Sequence, residues 1–131
     1  DRVGATVQPG DHGTTYGGHL LACRAALVVL DALEHGLSDA IARTSAYLFL
    51  RLRALVAGHP SKIADVRGAG LMAGLELRAD ATPVVNAALE KGLLVNRTAT
   101  SVIRMLPPYI VTEHDIDEAV GILGTVIGAT K

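Results

Sequence analysis

The 131-residue sequence predicts an α+β fold, a small antiparallel sheet packed with helices. Three observations lead there. Apolar residues recur at helical spacing in two stretches of the first half and one at the end. Between them, short apolar runs are bounded by Gly and Pro, the pattern of strands. Half of the residues are apolar while the aromatics are only Tyr16, Tyr47, Phe49 and Tyr109, so the core is aliphatic and Ala-rich.

Residues 1–18 are rich in Gly and Thr, with Pro9-Gly10 and Gly17-Gly18, and read as loop. A helix is expected from His19 to about Glu34, with Leu20, Cys23, Leu27, Leu30 and Leu33 on one face. Gly36 stands at its C-terminus. Ser38 is a candidate N-cap for a second helix, Asp39 to about Ala57, whose buried stripe is Ile41, Ser45, Leu48, Leu52 and Leu55. Arg43, Arg51 and Arg53 are expected to face water, and Gly58-His59-Pro60 ends the helix. Strands are expected at 63–67 and 71–77, joined by Gly68-Ala69-Gly70. Thr82-Pro83 opens a short helix that Gly92 ends. Two more strands follow, Leu93–Asn96 and Val102–Met105, and Pro107-Pro108 breaks the chain. Thr112, with Asp115 three residues on, caps a last helix that fades around Ile127.

Composition narrows the function. A formal net charge of −1 gives no electrostatic reason to expect nucleic acid or an anionic membrane as partner. No apolar run reaches the ~20 residues of a membrane span; Arg24 and Asp31 interrupt the longest. A single cysteine, Cys23, fits a reducing compartment and, inside an apolar helix, is expected to be a packing residue. His12, His19, His35, His59 and His114 show no zinc-ligand spacing, so no metal is expected. The opening Asp1-Arg2-Val3-Gly4 has neither an initiator Met nor a signal peptide, as in a chain cut from a longer one.

Two places carry chemistry. Gly10-Asp11-His12-Gly13-Thr14-Thr15-Tyr16-Gly17-Gly18 puts small residues and hydroxyls just before a helix, where backbone N–H groups favour anions. The residues alone fit either an anion cradle or an ordinary Gly-rich connection; the ending of a P-loop is absent. Arg104 ends an apolar strand beside Pro107-Pro108, which fits either a structural ion pair or a fork for a carboxylate.

The first segment, with Leu21-Ala22-Cys23 after it, resembles a signature of class III aminotransferases, above all the acetylornithine and succinyldiaminopimelate enzymes. Gly92–Asn96, Val102–Pro108 and Thr112–Ala119 resemble that family's C-terminal end, and Val66–Glu76 its small domain. The resemblance implies the C-terminal domain of a fold type I transferase dependent on pyridoxal 5′-phosphate (PLP). It implies that Thr15, with Thr14 beside it, reaches across a homodimer interface to the PLP phosphate of the other subunit. It implies that Arg104 takes the substrate α-carboxylate. His19-Leu20 departs from the family's Asn-Pro, giving up a proline at the first turn of the helix.

The organisation implied is a cofactor-phosphate segment, residues 1–18, and a small domain, residues 19–131, that includes the interdomain helix. The expected activity is transfer of an amino group between N-acetylornithine and 2-oxoglutarate in arginine biosynthesis, in a cytoplasmic homodimer. Ornithine, succinyldiaminopimelate or 4-aminobutyrate as donor, or a non-catalytic assembly module with the same fold, are the alternatives. PLP chemistry needs a lysine for the Schiff base. Lys62 and Lys91 read as solvated surface charges and Lys131 ends the chain, so no catalytic residue is expected here and the chain alone is expected to be inactive.

Overall fold

A computed structural model describes Arg2 and residues 4–130. Asp1, Val3 and Lys131 lie outside the described residues, and with them the readings of Asp1 as a cut end and of Lys131 as a non-catalytic lysine. Contacts divide the chain into two compact units, Asp1–Gly36 and Leu37–Lys131; the sequence suggests a boundary after residue 18.

In the first unit, a single 3-10 turn, Gly4–Thr6, interrupts the expected loop, and every described residue up to Gly18 is exposed. Helix α1 spans Leu20–Ala32. His19 takes the N-cap position with extended backbone and no side-chain cap, so the helix starts without the missing proline. Leu and Ala are strong helix formers, and that local propensity suffices. No residue of α1 is buried. Cys23, expected to be a packing residue, is instead exposed, and Leu20 is 86% exposed. Apolar spacing identifies the helix but not what covers it. His35 and Gly36 leave helical geometry, Gly36 at φ 107°; that left-handed conformation favours glycine and ends the helical run. The His35 ring meets the Asp31 carbonyl at 2.7 Å, satisfying an acceptor near the helix end.

The second unit opens with α2, Ser38–Gly58, in which Leu48, Leu52 and Leu55 of the expected stripe are buried. Leu37, rather than Ser38, occupies the N-cap position. Strand β1 (Ile63–Ala69) pairs antiparallel with β2 (Met72–Leu77), with an irregularity between Ile63 and Asp65. Helix α3 covers Thr82–Glu90 with proline in its first turn. Strand β4 is Val102–Met105, as the sequence predicts, and the whole sheet runs β1-β2-β4-β3 with every pair antiparallel.

Strand β3 differs from expectation: it is Asn96–Thr98, not Leu93–Asn96. The Leu93 N–H is spent on the Ala88 carbonyl at the end of α3. Leu93 and Val95 then pack against the core rather than entering the sheet. Apolar content alone does not distinguish a strand from a core-plugging connection.

Period two in the strands decides which residues meet the helices. Ala73, Leu75 and Leu77 on β2 and Ile103 and Met105 on β4 are buried, joined by Val84 and Ala88 of α3 and by five residues of α4. Helix α4, Glu113–Ala129, begins in a reciprocal capping box. The Asp115 N–H donates to the Thr112 hydroxyl at 3.2 Å and the Thr112 N–H to the Asp115 carboxylate at 2.9 Å. The Thr112 hydroxyl and N–H hold the Asp115 carboxyl below its ordinary pKa.

Two charges expected to be solvated are engaged. The Lys62 ammonium donates to the carbonyls of Ile127, Gly128 and Thr130 at 2.9, 2.8 and 2.5 Å, closing the C-terminus of α4. This holds the helix two residues beyond the expected end. Arg51 meets Asp117 at 2.8 Å, and the Tyr47 hydroxyl donates to the same carboxylate at 2.9 Å, tying α2 to α4. The Asp117 carboxylate, accepting that bond, raises the Tyr47 pKa.

Strand β1 runs two residues past its expected end, so Gly68, expected in the turn, pairs with Ala73 beside it, at φ 153° and so placed that a Cβ would run into the Met72 carbonyl oxygen. The Ser45 hydroxyl donates to the Gly70 carbonyl at 2.7 Å and fixes the turn to α2. Gly68→Ala is expected to destabilise the chain by about 1 to 3 kcal/mol, read as a lower urea midpoint. Lys62→Met should cost about 1 to 2 kcal/mol and fray the last turn of α4. The measurement is faster amide exchange at residues 126–130, with the first turn of α4 unchanged.

Candidate functional site

Four strands put one residue each into a single row across the sheet. Arg67 on β1 pairs with Gly74 on β2, Gly74 with Arg104 on β4, and Arg104 with Asn96 on β3. This row belongs to the face opposite the core, because the residues on either side of it, Ala73, Leu75, Ile103 and Met105, are buried. Asp65, Met72, Glu76, Val102 and Thr98 share the outer face, and no residue of it is buried.

Gly74 leaves a gap in the row between two arginines. A groove of about 570 Å³ runs there, lined by Arg67, Gly68, Met72, Gly74, Val102 and Arg104 among others. Arg104 also borders a second depression with Leu94, Asn96 and Leu106. A Cβ at Gly74 would make ordinary contacts, 3.4 Å to Val102 Cγ1 and 3.7 Å to the Arg67 carbonyl oxygen. The groove is therefore open because the side chain is absent, not because the backbone forbids one.

The arginines of the sheet differ in their partners. Arg67 is ion-paired to Glu76, with Asp65 at 3.8 Å. Arg97 lies 3.5 Å from Asp80, whose carboxyl the Thr82 hydroxyl and N–H hold below its usual range. Arg104 is exposed and has no side-chain partner among the described residues. A guanidinium with all of its donors unspent is free to accept a carboxylate in a two-bond fork.

Thr14 and Thr15 belong to the first unit and Arg104 to the second. Both threonines are exposed, and neither side chain makes a hydrogen bond among the described residues. A Cβ at Gly17 would run into the Thr14 methyl, so glycine there lets the Thr14 side chain fold back over the loop. Two adjacent free hydroxyls in an exposed loop just before α1 offer donors to an anion.

Of the lysines, Lys62 is committed to α4, and Lys91 is exposed after α3. Neither lines the Arg104 groove. Among the described residues no group of His, Cys, Asp or Glu could hold a metal ion, and no helix is long and apolar enough to cross a membrane. Sequence reasoning singled out Arg104 but missed Gly74, Arg67 and Glu76. Part of the signal was present: Gly74 and Glu76 fall out of phase with the buried Ala73, Leu75 and Leu77, and Arg104 with Ile103 and Met105, whereas the irregularity after Ile63 hides the phase of Arg67. The pairing that aligns them is not written in any one strand.

The profile of the family described as aminotransferase class-III matches residues 1–127. An acetylornithine aminotransferase of Methanothermobacter thermautotrophicus is 41% identical over 128 residues, covering 97% of this chain and 33% of that protein. The lysine aminotransferase of M. tuberculosis superposes with a TM-score of 0.83 at 27% identity, over 92% of this chain and 28% of that one. The ornithine aminotransferase of Toxoplasma gondii ME49 superposes with a TM-score of 0.81 at 31% identity, over 98% of this chain and 32% of that one. The chain thus spans about a third of the length of the curated relatives it matches. With the α+β fold, its antiparallel sheet and nearly the whole sequence in agreement, the chain belongs to the class III aminotransferases.

Proposed function

We propose that this chain is the carboxylate-binding portion of a PLP-dependent aminotransferase that moves an amino group between N-acetylornithine and 2-oxoglutarate, in arginine biosynthesis. The observation that carries this is Arg104, an unpaired guanidinium in a groove on the open face of the sheet. Relatives at 40 to 42% identity that carry the name acetylornithine aminotransferase support the choice of donor.

In this reading residues 1–18 form the cofactor-phosphate segment and 19–131 the small domain. Arg104 holds the α-carboxylate of 2-oxoglutarate and of the glutamate it becomes, whose reacting carbon is Cα; N-acetylornithine, its α-nitrogen acylated, gives up its δ-amino group. Its planar fork fixes the carboxylate plane, and with it the direction in which Cα presents its hydrogen and amino group. Thr15, with Thr14 beside it, donates its hydroxyl to the phosphate of PLP across the interface of a homodimer. The donor set suits that group: exposed hydroxyls with no other partner, in a Gly-rich loop before a helix. PLP, when bound, supplies the carbonyl that exchanges the amino group and the ring that delocalises charge from Cα. The proton-shuttling lysine belongs to the rest of the complete enzyme, since Lys62 has a structural task here. We place the enzyme in the cytoplasm, in keeping with small soluble substrates and one exposed thiol.

In the complete enzyme, Arg104→Ala is expected to lower kcat/KM for 2-oxoglutarate. Removing one partner of a hydrogen-bonded charge pair costs about 2 to 5 kcal/mol, roughly thirtyfold to several thousandfold. Arg104→Lys should recover only part, because an ammonium cannot make the fork. Unchanged kcat/KM for 2-oxoglutarate would remove Arg104 from this role. Thr15→Ala should weaken PLP retention by about 1.5 to 3 kcal/mol with donor preference unaltered. Equilibrium dialysis against PLP measures it, and an unchanged dissociation constant contradicts the assignment.

A further inference from the structure

Glu76 is the residue of β2 that follows Gly74 on the outer face, and it stands diagonal to both arginines of the row. Gly74 pairs with Arg67 on one side and with Arg104 on the other, so Glu76 is a diagonal neighbour of each. Diagonal neighbours lie about 7 to 8 Å apart, within reach of long side chains. Two arginine positions thus stand diagonal to one carboxylate, on opposite sides of it. Only one of them takes it: Arg67 is ion-paired to Glu76, while Arg104 has no partner.

The arrangement of carboxylates explains the asymmetry. Asp65 pairs directly with Glu76 across β1 and β2, and like charges in directly opposed positions repel. Arg67, two residues along from Asp65, meets both carboxylates, Asp65 at 3.8 Å and Glu76 more closely. Without it, Glu76 would be repelled by Asp65 on one side and attracted by Arg104 on the other.

We propose that Arg67 is a positioning residue that holds Glu76 away from Arg104 and so keeps the Arg104 guanidinium free for the substrate carboxylate. This rests on the reading of Arg104 as the carboxylate fork. In this role Arg67 acts by occupying an internal competitor rather than by holding the substrate. Nothing in its role requires it to move during turnover.

The experiment uses the complete enzyme, with binding of glutarate measured by calorimetry. Glutarate is a dicarboxylate without a reacting carbonyl, so affinity is read apart from turnover. Arg67→Met is expected to weaken glutarate binding about fivefold, the scale of a partly exposed ion pair acting as competitor. KM for 2-oxoglutarate should rise by a similar factor with kcat little changed. Adding Glu76→Gln to Arg67→Met is expected to restore affinity, because the competitor is then neutral. Arg67→Lys, which keeps a charge beside Glu76, is expected to lose less than Arg67→Met. If Arg67→Met weakens binding and the second substitution fails to rescue it, the role is structural and the proposal falls. Equal losses for Arg67→Lys and Arg67→Met also sink it. Full glutarate affinity in Arg67→Met, with a loss in Arg104→Ala, overturns the masking role and leaves the Arg104 fork standing. Full affinity in Arg104→Ala overturns both.

Discussion

The sheet of the second unit sends one face, and only one, under its helices. Ala73, Leu75, Leu77, Ile103 and Met105 are drawn to that side by burial, each fully buried large side chain contributing about 1.5 to 3 kcal/mol. Because strand side chains alternate, this choice also fixes the other face. Arg67, Gly74, Glu76 and Arg104 have no freedom to point elsewhere once their neighbours are inside. A one-residue slip of β4 against β2 would put Arg104 among the helices and Ile103 in water, at a cost the core would not bear. The register that aligns the two arginines is thus held by hydrophobic packing on the opposite side of the sheet.

Elements with local chemistry were legible in the sequence. Thr112 and Asp115 announce the start of α4 because capping needs only residues three apart. Pro83 does the same for α3, and the apolar run 102–105 gives β4 its full extent. Where the outcome depended on distant partners, the sequence was silent. Lys62 reads as a surface charge until the end of α4 arrives beside it, 65 residues on. Arg51 reads likewise until Asp117 comes within reach. Strand β3 starts later than its apolar content suggests because Leu93 and Val95 serve the core.

The candidate site divides in the same way. Arg104 stood out through a resemblance and a residue type, and the role proposed for it rests on its free guanidinium. The carboxylate chemistry around it could not be read from spacing. Arg67 and Glu76 are nine residues apart across a hairpin, the one directly opposite and the other two residues along from a glycine that looks unremarkable in sequence. The sequence holds nine arginines; ion pairs already made set Arg67, Arg97 and Arg51 apart from Arg104.

Gly68 and Gly74 lie on adjacent strands of the same hairpin, yet different forces hold them. At Gly68 a side chain collides with the backbone, so folding itself rejects the change. At Gly74 a side chain fits, and nothing in the stability of the chain would oppose it. Mutational drift should therefore treat them differently. In a lineage that stopped using the groove, Gly74 would be free to vary at once, while Gly68 would persist as long as the protein folded.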